Sequence, residues 1–159
     1  MRFYVIAVGK LKERFWVDAC AEYLKRLKPY AKTEVIEIAD VDPDRAGTIA
    51  VARAKEGEAI LRSLNALPAQ THVVVLAIEG KQHTSESFAN HLGELGLYGQ
   101  SDVAFIIGGS DGVDQAVYDR AREQLSFGKI TLPHNLARVV LLEQLYRAQK
   151  ILRGEPYHK

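Results

Sequence analysis

Apolar residues follow two alternating patterns along this chain. Short runs of consecutive apolar and β-branched residues are typical of strands, whereas apolar residues recurring every three or four positions are typical of helices. The short runs predict five strands, at residues 2–8, 33–39, 72–78, 102–107 and 125–132. The longer stretches predict five helices, at residues 13–28, 48–64, 84–95, 113–122 and 136–152.

Strands that alternate with helices predict an α/β fold, with a mainly parallel five-stranded sheet and helices on both of its faces. Residues 72–78 and 102–107 are the most continuously apolar runs, so we expect them where the sheet is covered on both sides. Residues 33–39 alternate polar with apolar positions, which favours a place nearer the edge. The whole chain, 1–159, is expected to form one domain.

Burial can be predicted within some of these elements. Cys20, the single cysteine, shares a helix face with Trp16 and Tyr23, so we expect a reduced thiol in the core. The acidic stretch 40–47 contains a proline and is predicted to be a surface loop. The residues of the second helix that are expected to face inward are Ile49, Ala52, Ile60, Leu61 and Leu64.

The formal net charge of +1 conceals a segregation of charge along the chain. Residues 1–32 hold eight Lys or Arg against three Asp or Glu, and residues 129–159 hold six against two. The middle, residues 33–128, holds seven against fifteen. If the basic ends meet, they form a surface suited to nucleic-acid phosphates; otherwise they are ordinary solvated helix faces. No apolar run approaches the roughly 20 residues that span a bilayer, so a cytoplasmic location is expected.

Three glycine-containing loops follow predicted strands, and ligands bind where the carboxyl ends of parallel strands gather. They are residues 79–85, 108–112 and 127–134. The second reads GGSDG, which matches neither established phosphate-binding glycine motif nor the nucleophile elbow of serine hydrolases. A nucleotide-phosphate site and a simple tight turn both stay open for this loop.

The five histidines show no metal-binding spacing along the chain, and one cysteine cannot form a thiolate cluster. We therefore expect no metal, and we interpret His72 and His91 as structural or surface residues. His134 precedes the last predicted helix, where it either orients the helix entry or contacts a ligand.

The last helix carries apolar residues on more than one face. One face can cover the sheet, and a second apolar face predicts a homodimer, because a two-fold axis buries the same patch twice. The alternative is a central helix buried wholly within one chain. Beyond it lies a polar and aromatic tail, residues 153–159, in a position where chains are usually expendable.

Several blocks of the sequence resemble the ribosomal RNA large subunit methyltransferase H family, within the SPOUT methyltransferase superfamily. The resemblance runs from end to end of the chain, and its C-terminal block is the most specific. The blocks are AVGKLKERFW, YLKRLKPY, GGSDG, LSFGKITLPH and RVVLLEQLYRAQKILRGEPYHK.

The resemblance implies that S-adenosylmethionine donates a methyl group to N3 of a pseudouridine in 23S ribosomal RNA. It further implies a homodimer, a C-terminal trefoil knot and recognition of the assembled ribosome, with neither membrane nor metal involved. By position, the implied cofactor-binding residues are Leu76, Gly108, Phe127, Gly128, Lys129, Ile130, Thr131 and Leu132.

On the catalytic side, we expect Tyr157 and His158 to face the target base. His158 is the preferred general base because imidazole exchanges protons readily near neutral pH. Arg138 and Arg153 are expected to hold phosphate or the negative charge that develops on the ring. The tail could instead anchor RNA by charge alone. Two other classes of protein stay open: an ordinary nucleotide-binding enzyme, and a ribosome-associated dimer without turnover.

Overall fold

Alternate residues of the first strand, β1, are buried on opposite faces of a sheet. In the computed structural model, which describes residues 1–159, Phe3 and Val5 join one core cluster while Tyr4 and Ile6 join another. The elements are β1 (Arg2–Val8), α1 (Arg14–Leu27), β2 (Lys32–Ile38), α2 (Pro43–Ala46), α3 (Ile49–Asn65), β3 (His72–Gln82), α4 (Ser85–Leu97), β4 (Asp102–Ile107), α5 (Gln115–Arg120), β5 (Glu123–Ser126) and α6 (His134–Leu152).

The five strands form one sheet in the order β2-β1-β4-β3-β5, and every pairing is parallel. This confirms the predicted sheet. The strand at 33–39 forms most of the edge strand β2, as its alternating pattern predicted, while β4 and β3 lie inside the sheet. Because all strands run the same way, the loops after β1, β3, β4 and β5 open at a common end of the sheet.

Helices cover both faces, as predicted. Residues of α1, α4 and α6 pack on one face, against Phe3, Val5 and Phe105 of the two central strands. Residues of α3 and α5 pack on the other, against Ile6 and Ile106. Cys20 lies in the first of these clusters, which confirms it as a core thiol. No helix is both long and apolar enough to cross a membrane.

Four local predictions need correction. The last strand spans Glu123–Ser126 rather than 125–132, because the chain leaves the sheet after Ser126. Strand β3 continues past residue 78 to Gln82. The predicted surface loop 40–47 contains the short helix α2, whose N-cap Asp42 accepts a hydrogen bond from the Asp44 N–H. Ile49, expected inside, is 50% exposed since it lies in the first turn of α3, beyond the edge of the core.

An irregularity in β3 accounts for its extra length. The register between β3 and β5 shifts so that Leu125 pairs with both Leu76 and Lys81, and the residues between these two bulge out of the ladder. A Cβ on Gly80 would lie 2.7 Å from the Gln124 carbonyl carbon, so only glycine allows this close approach. The bulge stands at the carboxyl end of the sheet.

Helix α6 presents two kinds of surface. Leu141, Leu142 and Leu145 are fully buried against the sheet. On other sides of the helix, Leu136 and Val140 are partly exposed, and Leu152 is 40% exposed. The helix is therefore neither a fully enclosed central helix nor a purely one-sided one.

Candidate functional site

A cavity of about 660 Å³ opens at the carboxyl ends of β3, β4 and β5, and the first turn of α6 closes one side of it. All three glycine-containing loops contribute to its wall. Residues that bulge from β3 line it, as do GGSDG and the segment after β5. The main contributors are Leu76, Ile78, Glu79, Ile107, Gly108, Gly109, Gly112, Val113, Tyr118, Leu125, Phe127, Gly128, Ile130, Thr131, Leu132, Pro133, His134 and Ala137.

The shape of the GGSDG turn depends on glycines. A Cβ on Gly108 would lie 2.5 Å from Cγ2 of Val113, so a larger residue forces that side chain to move. Gly112 adopts a φ of +83°, which residues with a side chain rarely adopt. The turn is closed by the bond from the Gly112 N–H to the Gly109 carbonyl. The glycine backbone of this loop consequently lines the cavity directly, without side chains in between.

Ser126 holds the third loop in place. Its buried hydroxyl donates to the Ile78 carbonyl at 2.7 Å, and it accepts from the Gly128 N–H at 3.1 Å. One side chain thus joins the β3 bulge to the segment that begins at Phe127. Sequence reasoning missed Ser126, although a serine between a strand and a glycine at positive φ is a recognisable turn signal.

The cavity wall is mainly apolar and backbone, with few ionisable groups. Glu79 is the sole carboxylate among the lining residues, and no lysine or arginine lines the cavity. His134 is the first residue of α6, and its ring lies against Gly9, where an added Cβ would be 3.1 Å from Nε2. Both interpretations of His134 thus agree with the structure, because the residue begins the helix and also lines the cavity.

Seven of the eight residues assigned to a cofactor by the resemblance line this cavity; the eighth, Lys129, is exposed and lies outside the lining. The agreement extends over three separate loops. Such convergence of distant positions on one concavity is what a small-molecule site requires.

The tail does not reach this cavity within its own chain. It folds back along α6, where the Tyr157 hydroxyl donates to Glu143 Oε1 at 3.1 Å. The Tyr157 ring meets Tyr146 edge-on, and the Arg147 guanidinium lies 4.6 Å from its centre. Burial, together with the Glu143 carboxylate, raises the pKa of Tyr157. Tyr157 is therefore a protonated donor in this position.

Both ring nitrogens of His158 have partners. Nε2 lies 2.7 Å from Glu86 Oε1, and Nδ1 lies 3.2 Å from Arg147 Nη1. An arginine can only donate, so Nδ1 accepts this hydrogen bond and Nε2 carries the proton that points to Glu86. In this arrangement neither nitrogen is free to take a proton from a substrate.

The two arginines differ in their surroundings. Arg138 is 2% exposed; its Nη1 donates to Glu37 Oε2 at 2.7 Å and its Nη2 to the Gly9 carbonyl at 2.9 Å. The expectation that Arg138 contacts phosphate needs correction, because its guanidinium is enclosed and already paired. Arg153 is exposed, with its guanidinium 4.9 Å from the centre of the Tyr30 ring.

The residues predicted to bind the cofactor and those of the tail consequently lie in two separate places. His134 of α6 lines the cavity, whereas Arg147, which holds His158, lies thirteen residues further along the same helix. At 1.5 Å per residue this separation is about 20 Å along the helix axis. One chain places the cavity and the tail near different ends of α6.

Comparison with known proteins identifies the family of this chain. A family model described as "Predicted SPOUT methyltransferase" matches residues 1–158. The chain belongs to the SPOUT methyltransferase family. Membership makes the protein a methyltransferase and implies a methyl-donor cofactor.

Curated relatives match over their entire length. The chain is 50% identical over 160 residues to the ribosomal RNA large subunit methyltransferase H of Listeria welshimeri, covering all of both chains. It is 53% identical over 160 residues to the proteins of the same name from Bacillus thuringiensis and Bacillus cereus, again covering all of both chains.

The Arg138–Glu37 ion pair yields a first prediction, on stability. Replacing Glu37 with glutamine leaves a buried guanidinium without its anion and is expected to lower the free energy of unfolding by about 1–3 kcal/mol at pH 7. Burial raises the pKa of Glu37, but the hydrogen bonds from Arg138 and the Leu11 N–H, together with the positive charges of Arg138 and Lys10, outweigh it and lower the pKa below its usual value. The contribution is therefore present above a pH of about 4.3 and is lost as the pH falls below it.

Urea unfolding of wild type and Glu37→Gln across this pH range checks the prediction. Glu34→Gln is the matched control, since Glu34 is an exposed carboxylate on the same strand. Equal losses in the two variants at pH 7, or a difference that persists at pH 3, would contradict a stabilising role for the ion pair.

Proposed function

We propose that the protein uses S-adenosylmethionine to methylate N3 of a pseudouridine in 23S ribosomal RNA. The observation that carries the proposal is the cavity of about 660 Å³, which is walled by all three of the loops that the resemblance assigns to the cofactor. Full-length relatives named ribosomal RNA large subunit methyltransferase H support the class of substrate.

The residues of the cavity fit an adenosine-containing donor. Leu76, Phe127 and Leu132 offer apolar surface for a purine, while the glycine-rich segments expose backbone donors and acceptors for its edges. Glu79 is the only carboxylate in the lining, and it would be the anionic partner of the cationic sulfonium. S-adenosylmethionine, when bound, supplies an already activated methyl group. The protein's own task is then to align the target nitrogen and to help it lose its proton.

The groups that would perform this task belong to the tail. We propose that His158 is the general base and that Tyr157 positions the base of the RNA. Because one chain holds the tail away from its own cavity, the tail of one subunit would serve the cavity of the other in a homodimer. The partly exposed face of α6, with Leu136, Val140 and Leu152, supports such an interface.

The two arginines, Arg138 and Arg153, would have different roles. Arg153 is exposed and suits contact with phosphate or with charge developing on the ring. Arg138 is a positioning residue: it ties α6 to Gly9 and Glu37, beside the point where His134 enters the cavity wall. We further propose the trefoil knot for the C-terminal region. Family membership supports it.

The proposed substrate is the assembled ribosome. The chain has a formal net charge of +1. Affinity for RNA rises with the number of phosphates that are neutralised, so a nearly neutral protein would hold free RNA weakly. Recognition by the shape of a particle supplies what charge does not.

The cofactor assignment predicts that S-adenosylhomocysteine binds and raises the melting temperature of the protein. Gly108→Ala places a methyl group 2.5 Å from Val113 at the cavity wall, so its affinity for the ligand is expected to fall at least about tenfold. Gly96→Ala is the matched control, because a Cβ there meets nothing closer than 3.8 Å. Calorimetry measures both affinities. Equal affinity in the two variants, or stabilisation by NAD or ATP instead, would contradict the assignment.

The substrate assignment predicts the order of activity on three preparations. Tritiated methyl transfer to whole ribosomes is expected to exceed transfer to naked 23S RNA by at least about tenfold, with isolated large subunits measured alongside. Ribosomes carrying uridine in place of the target pseudouridine are the control. Efficient methylation of naked RNA would refute recognition of the particle, and transfer to no preparation would support a dimer without turnover.

The tail assignment predicts complementation between two inactive variants. His158→Ala is expected to bind the cofactor but lose methyl transfer, and Gly108→Ala to keep the tail but lose the cofactor. In dimers that pair one subunit of each, an intact tail meets an intact cavity only if the tail acts across the interface. Random mixing should then restore about a quarter of wild-type activity.

Two results would count against this assignment. Full activity of His158→Ala alone would remove His158 from the mechanism. Restoration of no activity on mixing, with mixed dimers verified by mass spectrometry, would place the tail in the cavity of its own subunit.

A further inference from the structure

Three side chains that share no sequence motif converge far from the cavity. His72 is the first residue of β3, His91 lies in the middle of α4, and Glu123 is the first residue of β5. Glu123 Oε1 lies 2.8 Å from His72 Nε2 and 2.9 Å from His91 Nε2. The potential ligand atoms all lie within 4.8 Å of one another. We call this set the His₂Glu cluster.

The cluster has the chemistry of a transition-metal site. Imidazole nitrogen and carboxylate oxygen are two of the three donor types that zinc uses in proteins, at about 2.0–2.2 Å from the ion. Atoms that share a tetrahedral ion at this distance lie about 3.3 Å apart. The present nitrogen-to-oxygen distances of 2.8 and 2.9 Å need to widen by only about half an ångström, which small side-chain rotations provide.

The donors are accessible and ready to bind. The side chains of His72, His91 and Glu123 are 12%, 26% and 25% exposed, so an ion can enter and keep a water molecule as its fourth ligand. Glu123 Oε1 lies within hydrogen-bond distance of both Nε2 atoms, so the carboxylate already faces both nitrogen donors. When an ion binds both Nε2 atoms, the proton of each neutral imidazole moves to Nδ1.

A third histidine, His83, lies beside the ring of His91 but outside the cluster. The two rings stack with their centres 5.6 Å apart and their planes at 20°. His83 turns Nδ1 toward the Ser87 hydroxyl at 3.1 Å and is not one of the converging ligands. His83 also provides a nearby histidine that can be replaced without touching the ligand set.

We propose that the His₂Glu cluster binds one Zn²⁺ ion per chain and ties together the starts of β3 and β5 and the middle of α4. The ion would be structural, because His72 and Glu123 lie at the amino ends of their strands and the cavity lies at the carboxyl ends. Strand β5 has four residues and lies at the sheet edge, so an anchor at its first residue restrains a segment with few ladder bonds.

The test uses full-length protein that carries no polyhistidine tag and has been stripped with a chelator. Zn²⁺ is titrated by calorimetry, and Co²⁺ is added as a spectroscopic probe whose visible bands report tetrahedral coordination. Wild type is expected to bind one ion per chain and to melt at a higher temperature with Zn²⁺ present. His91→Gln and Glu123→Gln are expected to bind at least about tenfold more weakly, whereas the control His83→Gln binds as wild type does.

Several outcomes would overturn the site. They are no binding by wild type, unchanged affinity in either ligand variant, or equal loss of affinity in His83→Gln. Circular dichroism establishes that each variant is folded; if Glu123→Gln is not, His91→Gln decides, since its partly exposed side chain is the easier one to replace. Binding of S-adenosylhomocysteine by His91→Gln is expected to equal that of wild type. The metal site and the proposed function can therefore fail independently.

Discussion

The pairing of β5 with β3 on both sides of a bulge is the constraint on which the rest of the site depends. Leu125 of β5 pairs with two residues of β3, Leu76 and Lys81. The β3 residues between Leu76 and Lys81 must therefore leave the sheet. They leave at its carboxyl end and become one wall of the cavity. Gly80 permits the close approach, and the Ser126 hydroxyl fixes it by bonding to Ile78. Bulges are often found beside active sites because they redirect backbone without ending the sheet.

The same constraint determines where the chain goes next. Because β5 ends at Ser126, the following segment is free to run over the cavity instead of extending a strand, and it delivers the chain to the start of α6 at His134. Helix α6 then carries the chain back across the face that α1 and α4 also cover. Arg138 secures its first turns against β1 and β2. One helix therefore connects the cavity wall to the tail, and packing fixes the distance between them.

Hydrophobic pattern predicted the sheet, its two covered faces and the edge position of β2, because each depends on which residues are apolar at local spacing. It could not predict the bulge in β3, which depends on Gly80 meeting a strand 44 residues later in the sequence. Arg138 was misjudged for a similar reason: its charge indicated a contact with phosphate or with charge developing on the ring, but its partner Glu37 is 101 residues away. The histidines were dismissed on spacing along the chain, although three elements bring two of them to one carboxylate.

At His158, the end of the tail is held by contacts that exchange readily. His158 and Glu86 are 29% and 58% exposed at their side chains, and ion pairs in such positions contribute about 0–1 kcal/mol because water screens them. Leaving this place frees Nδ1 from Arg147, and Nδ1 is the unprotonated nitrogen through which the proposed general base would act. For the general base that we propose, such a weakly held position would keep His158 paired with Arg147 and Glu86 until a substrate is present.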